Sequence, residues 1–98
     1  MKELKDPADT HKYSYTNVIT AVRTRLNKLN IKFDYSSGFN SHVLGLIIEF
    51  YGIKQDEKYA YAHQVGKATF FTYSQQFVDF ILNEIKKNPQ TFYQSLRT

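Results

Sequence analysis

The segment at residues 39–53, FNSHVLGLIIEFYGI, is the most apolar stretch of the chain and limits most strongly what the protein can fold into. Its apolar side chains cover nearly the whole circumference of a helix, and such a helix must be buried. Asn40 or Ser41 can cap its start, and Gly52 can end it in the left-handed conformation. A bilayer span needs roughly 20 apolar residues, so the segment predicts the central helix of a globular domain without membrane contact.

Gly45 lies inside this predicted helix, where glycine costs about 1 kcal/mol relative to alanine. A structural reason for the glycine is therefore expected. The simplest reason is the close approach of another backbone, from the first helix or from a second copy of the chain. The close approach of a phosphate backbone is the alternative.

An amphipathic helix is predicted at Tyr15–Leu29, because Val18, Val22 and Leu26 recur at the helical period. Its opposite face holds positive charge and side chains that donate or accept hydrogen bonds, namely Asn17, Thr20, Arg23, Thr24, Asn27 and Lys28. That composition is typical of a face that contacts phosphates or base edges. A merely solvated helix face is the alternative interpretation.

Two stretches alternate between apolar and polar residues, which indicates β-structure. Ile31 and Phe33 predict a short strand after the first helix. Residues 59–73, YAYAHQVGKATFFTY, alternate on both sides of Gly66-Lys67 and predict an antiparallel hairpin with Lys67 at its tip. We expect one aromatic face of the hairpin to pack against the central helix. An aromatic line along such a ribbon can alternatively stack on bases.

Helical periodicity returns at residues 74–87, with Ser74 as the predicted cap. Asn88 and Pro89 are expected to end that helix and to begin a short last one, because proline is best tolerated at the first helical position. Phe92, Tyr93 and Leu96 would dock this last helix on the core.

The predicted order is helix, strand, helix, hairpin, helix, helix. This order indicates a small α+β domain over residues 13–98, preceded by a flexible lead-in at residues 1–12.

The charge balance favours polyanionic partners, because 13 Lys and Arg stand against 9 Asp and Glu for a net charge of +4. It also argues against an acidic mimic of DNA. The chain has no Cys, which excludes disulfides, thiolate metal sites and cysteine nucleophiles and fits a cytoplasmic protein. His11, His42 and His63 lack the spacing of a metal site, and no catalytic or nucleotide-binding motif occurs. We therefore expect no metal, no cofactor and no enzymatic activity.

The order of elements resembles a winged-helix domain, in which a ribbon and a helix grip duplex DNA. Three stretches are also similar to an uncharacterised domain at the C-terminus of some predicted bacterial defence nucleases, over residues 13–89: SYTNVITAVRTRL, FNSHVLGLIIEFYGIKQDEKYAY and YSQQFVDFILNEIKKNP. The resemblance implies a small winged-helix-like accessory module of bacterial, phage or plasmid origin. It transfers no functional residue to this chain.

Two functions follow from the sequence. The first is nucleic-acid binding, with DNA as the expected partner, through Asn17, Thr20, Arg23, Thr24, Asn27, Lys28 and Lys67. In this interpretation Arg23, Lys28 and Lys67 form one phosphate-contacting surface. The alternative is a protein-interaction or dimerisation module from a mobile element, without nucleic-acid contact. A homodimer is expected through the last helix or the hairpin edge, whose backbone groups are unpaired.

Overall fold

A computed structural model of the protein describes residues 10–97. Four α-helices lie wholly within that range: α1 (Tyr15–Leu29), α2 (Ser41–Phe50), α3 (Gln75–Lys87) and α4 (Phe92–Leu96). A short 3-10 helix at Ile53–Gln55 follows α2, and strands β1 (Ala60–Val65) and β2 (Ala68–Tyr73) form an antiparallel hairpin. The predicted α+β class is confirmed, and its winged-helix-like detail stays a prediction.

Helices α1, α2 and α3 begin at side-chain caps. Ser14, Asn40 and Ser74 each accept a hydrogen bond from the backbone N–H three residues further along the chain. Such caps satisfy backbone donors that a helix leaves without a partner at its start. The helix starts predicted from Asn40 and Ser74 are therefore confirmed.

The core lies between α1, α2 and α3. Its fully buried side chains include Val18 and Val22 of α1, Val43, Leu44 and Ile47 of α2, and Phe77, Ile81 and Ile85 of α3. The predicted burial of the central helix is thus confirmed over most of its length. It ends at Phe50, which is 50% exposed, and Gly52 adopts the left-handed φ of 61° before the 3-10 helix.

The strand predicted around Ile31 and Phe33 is wrong. The backbone N–H of Ile31 donates to the carbonyl of Leu26 at 2.9 Å, and Asn30 has a left-handed φ of 56°. This arrangement is a Schellman-type helix end, which is often accompanied by an apolar contact just beyond the helix. Ile31 and Phe33 pack against the core as partly buried side chains, so their alternation reflects core packing rather than sheet pairing.

The last helix begins at Phe92, and the predicted start at Pro89 is wrong. The Asp34 carboxylate, from the loop after α1, accepts hydrogen bonds from the backbone N–H groups of Tyr93 at 2.6 Å and Gln94 at 2.9 Å. The backbone N–H of Asp34 in turn donates to the carbonyl of Pro89 at 3.0 Å. Phe92 is buried, as its predicted docking role requires, and the homodimer expected through the last helix or the hairpin edge stays a prediction.

The hairpin is paired along its whole length, from Ala60 opposite Tyr73 to Val65 opposite Ala68. Gly66 has a φ of 61° at the first of the two turn residues, the position at which type II′ turns place glycine. The predicted hairpin and its turn are therefore confirmed.

The two faces of the hairpin have different environments, because side chains alternate along each strand. Tyr73 is buried and Phe71 packs against the core. Tyr61, His63 and Phe70 lie on the outer face, where Phe70 is 48% exposed. One aromatic side of the hairpin thus belongs to the core, and the other remains accessible.

Residues 1–9 of the predicted lead-in lie outside the described residues. Further along, His11 Nε2 lies 2.6 Å from the carbonyl oxygen of Glu57, and Tyr13 and Tyr73 exchange two backbone hydrogen bonds. The boundary at residue 13 stays a prediction. Within residues 10–97, no helix combines the length and the apolar character needed to cross a membrane.

Candidate nucleic-acid interface

The polar face of α1 is exposed along its length. Six predicted site residues lie within about 140° of the helix circumference, and we call them the α1 stripe: Asn17, Thr20, Arg23, Thr24, Asn27 and Lys28. Val18, Val22 and Leu26 on the opposite side are buried. The 15 residues of α1 give a helix about 22 Å long. The apolar face holds α1 in the core and leaves the stripe free to meet a ligand.

A groove of about 320 Å³ lies between the C-terminal half of α1 and the loop that follows it. Arg23 and Asn27 line this groove from the helix, and Lys32, Ser36 and Ser37 line it from the loop. We call it the loop groove. Two cations and three hydrogen-bonding side chains therefore share one concave surface, a composition that suits a phosphate group.

A shallower depression of about 390 Å³ lies at the other end of the α1 stripe. Lys12 and Tyr13 line it together with Asn17 and Thr20. The stripe is thus bounded by a lysine at each end, Lys12 before the helix and Lys32 after it.

The sequence that carries the stripe is rich in cations and poor in acids. Residues 10–33 contain no Asp or Glu, and their cations are Lys12, Arg23, Arg25, Lys28 and Lys32. Within the described part of the chain, the direct ion pair joins Lys87 to Glu84 and none involves these five side chains. An exposed surface of this kind attracts polyanions. Sequence patterns did not identify four of the lining residues as site residues, namely Lys12, Lys32, Ser36 and Ser37. The long stretch without acids was an available signal for the two lysines.

The loop groove depends on contacts behind it. The ring of Tyr35 stacks on that of Tyr93 with centroids 4.3 Å apart, and Phe33 meets Phe92 edge-on at 5.6 Å. Together with the cap that Asp34 provides, these contacts hold the loop against α4. The position of the loop side chains relative to α1 is therefore set by the C-terminal helix.

Lys67 lies at the hairpin tip, at the opposite end of β2 from Tyr73. Tyr73 pairs with Tyr13 beside the start of α1, so the base of the hairpin adjoins the helix. A strand of six residues extends about 20 Å. A surface shared by Lys67 with Arg23 and Lys28 stays a prediction.

A larger cleft of about 690 Å³ separates the inner face of the hairpin from α2. Its lining includes Ser41, His42, Gly45 and Glu49 of α2, Lys54 of the 3-10 helix, and Thr69, Phe70, Phe71 and Tyr73 of β2. The Lys54 ammonium lies 5.0 Å from the centre of the Phe71 ring. Phe71 and the buried Tyr73 line the hairpin side of this cleft, and Tyr73 also contacts the ring of Phe77 in α3 at 5.3 Å.

Gly45 faces the side chain of Tyr15 rather than the backbone of α1, so the predicted approach of the first helix's backbone is wrong. The approach of a second copy of the chain or of a phosphate backbone stays a prediction. The Tyr15 hydroxyl donates to the carbonyl of Ser41 at 2.7 Å, and a Cβ added to Gly45 would lie 3.4 Å from the Tyr15 Oη. Burial raises the pKa of the Tyr15 hydroxyl. Burial, and then the charge of Tyr15, raise the pKa of Tyr73. Two tyrosine hydroxyls that resist ionisation thus line this cleft.

No group of three or more His, Cys, Asp or Glu side chains within residues 10–97 is arranged to hold a metal ion. The side chains gathered in the loop groove are suited to binding an anion through charge and hydrogen bonds.

A family model described as an EC042_2821-like Restriction Endonuclease-like domain matches residues 6–97. No curated protein and no solved structure matches the chain. The match supports the nuclease connection suggested by the sequence resemblance, whereas the winged-helix and C-terminal aspects of that resemblance stay predictions.

The same match corrects the prediction that the protein is not an enzyme. The matching family is nuclease-like, which points to enzymatic activity. The similarity extends over nearly the whole chain, whereas the prediction depended on a search for short catalytic motifs.

Proposed function

The chain belongs to the family of EC042_2821-like restriction endonuclease-like domains, and from this premise we propose that it binds DNA in a nuclease system of bacterial, phage or plasmid origin. The α1 stripe and the loop groove form the proposed binding surface. The observation that supports this choice best is the groove in which Arg23, Asn27 and Lys32 meet, within a stretch that contains no acidic residue.

The two kinds of side chain on this surface have different roles in the proposal. Arg23, Lys28 and Lys32 contact phosphates and position the protein on the duplex, because charge alone does not distinguish sequences. Asn27 and Thr24 lie between these cations on the exposed face, where their amide and hydroxyl groups can reach base edges or sugars. Removal of a cation and removal of a polar group should therefore have distinct effects.

The family assignment adds DNA cleavage to the proposal. Incubation of a supercoiled plasmid with the protein and Mg²⁺ tests it, because even one break per molecule changes the mobility of the plasmid. A stripe variant that binds DNA less well should cleave more slowly in proportion. Cleavage that is unaffected by loss of stripe binding would place the substrate on another surface.

The binding test uses a short duplex, with affinity measured over a series of salt concentrations. Each of Arg23→Ala, Lys28→Ala and Lys32→Ala should weaken binding similarly on all sequences and lower the slope of log K against log salt by roughly one unit. Lys67→Ala tests whether the hairpin tip belongs to the same surface. Asn27→Ala should instead change the sequence preference.

Lys86→Ala is the matched control, because it removes one exposed charge from the last turn of α3. In Lys86→Ala, the slope of log K against log salt should change only by the amount that losing one positive charge from the whole protein causes. If the folded triple variant Arg23→Ala, Lys28→Ala, Lys32→Ala binds duplex DNA as the parent does, the proposed surface is wrong. If the parent binds neither duplex nor single-stranded DNA, the DNA-binding proposal is wrong. A protein-interaction module then becomes the better account.

A further inference from the structure

A line of four rings lies on the outer face of the hairpin and on the segment beside it. His11 lies 5.9 Å from Tyr61, Tyr61 lies 5.1 Å from His63, and His63 lies 4.8 Å from Phe70, measured between ring centroids. We call these four residues the outer ladder. The rings of His63 and Phe70 are nearly parallel, at 9°, and stack on each other, so the face of Phe70 turned away from His63 is the one left for a ligand.

The outer ladder is not part of the core. Phe71 and Tyr73 on the inner face supply the aromatic packing of the hairpin, whereas Phe70 is 48% exposed and Val65 beside it is 62% exposed. The ladder is nevertheless ordered by specific contacts. His63 Nε2 lies 2.7 Å from Thr72 Oγ1, which orients the imidazole ring beside Phe70.

The charges around the ladder favour a polyanion. Residues 59–73 contain no Asp or Glu, and Lys67 supplies a cation at the hairpin tip. At the other end of the ladder His11 contacts the backbone carbonyl of Glu57, so the cation of the hairpin itself is at its tip. A polymer whose rings stack on the ladder and whose negative charges lie along the edge of the ladder would be complementary to this surface.

We infer that the outer ladder is a stacking platform for unpaired bases of single-stranded DNA. Every base has a face that stacks on an aromatic ring, and a single strand leaves that face free, whereas a duplex hides it. The phosphates of the strand would lie towards Lys67. The inference extends the proposed function by naming a second form of DNA, and it uses ring residues outside the α1 stripe.

Binding of a fluorescent oligothymidine, compared with a duplex of equal length, tests the inference. Phe70→Ala should lower the affinity for the single strand by roughly tenfold, which is within the range for loss of one stacked base. Phe70→Leu should lower it nearly as much, because leucine keeps apolar area and lacks a ring. Val65→Ala is the matched control on the same face and should change the affinity by less than about twofold, since it removes no ring.

A second measurement reports stacking directly. The fluorescence of a 2-aminopurine base in the oligonucleotide should fall on binding to the parent and fall less with Phe70→Ala. Circular dichroism establishes that each variant is folded, which is expected because Phe70 and Val65 are exposed.

The outcomes separate this inference from the proposed function. If Phe70→Ala binds the single strand as the parent does, or if Phe70→Leu retains full affinity, stacking is excluded and the inference is overturned. Both the stripe and the platform are supported if the triple stripe variant no longer binds the duplex and Phe70→Ala still weakens single-strand binding. A parent that binds single strands through Phe70 and does not bind duplexes supports the platform and contradicts duplex binding by the stripe.

Discussion

The Asp34 carboxylate accepts a hydrogen bond of 2.6 Å from the backbone N–H of Tyr93, 59 residues further along the chain. The same carboxylate accepts a second bond from Gln94, and Tyr35 stacks on the ring of Tyr93. These contacts join the loop after α1 to the last helix. Because that loop supplies Lys32 to the loop groove, the geometry of the proposed DNA surface depends on a cap at the far end of the chain.

Asp34→Ala should lower the free energy of unfolding by about 1–2 kcal/mol, the usual cost of losing a helix cap. Asp34→Asn should cost less, because the amide oxygen can still accept one bond. Urea denaturation measures both. Asp79→Ala is the control, since Asp79 is an exposed carboxylate that accepts a bond from Gln75 on its own helix. Equal losses for Asp34→Ala and Asp79→Ala would contradict a structural role of the cap.

Two glycine substitutions should change stability in opposite directions. Gly45→Ala should raise the free energy of unfolding by up to about 1 kcal/mol, because alanine favours the helix interior and its Cβ would meet Tyr15 Oη at an acceptable 3.4 Å. Gly52→Ala should lower it by about 1–2 kcal/mol, because a side chain disfavours the left-handed backbone found there at φ 61°. Thermal denaturation of the pair checks both directions, and a stabilised Gly52→Ala would contradict this account.

Truncation of Ile81 should destabilise the protein much more than truncation of Phe50. Ile81 is fully buried in the core, whereas Phe50 is 50% exposed at the end of α2. Ile81→Ala should cost about 2–5 kcal/mol through lost burial and the cavity that remains. Phe50→Ala should cost well under half as much, which chemical denaturation can resolve. Similar costs for the two would contradict the burial of Ile81 in the core.

Alkaline conditions should destabilise the fold partly through Tyr51. Burial, followed by the charge of Glu84 and the hydrogen bond to it, raises the pKa of Tyr51 to about 12. An unfolded tyrosine ionises near pH 10, so the folded protein binds more protons between about pH 10 and 12. Stability must therefore fall as the pH rises through that window.

Tyr51→Phe should make the fall in stability with rising pH shallower. The part of the fall that remains includes contributions from Tyr15 and Tyr73, because burial also raises their pKa values. Denaturation at a series of alkaline pH values measures the decline. Tyr61→Phe is a control without the Glu84 contact. An unchanged or steeper decline for Tyr51→Phe would show that Tyr51 does not contribute.

The sequence by itself determined the elements that depend on neighbours along the chain. The period of Val18, Val22 and Leu26 specifies the buried side of α1 and, by exclusion, its polar face. Asn40 and Ser74 specify helix starts because a cap bonds to a backbone group three residues away. The alternation on both sides of Gly66 specifies the hairpin for the same reason, since its pairing is local.

Only the tertiary structure decided what depends on residues far apart in the chain. Ile31 alternates as a strand residue would, yet Asn30 closes the helix beside it and no strand within residues 10–97 pairs with this segment. The start of α4 depends on the Asp34 carboxylate, and the meeting of Arg23 with Lys32 depends on how the loop packs. These outcomes follow from burial and hydrogen bonds across the whole fold, whose free energies outweigh weak local preferences.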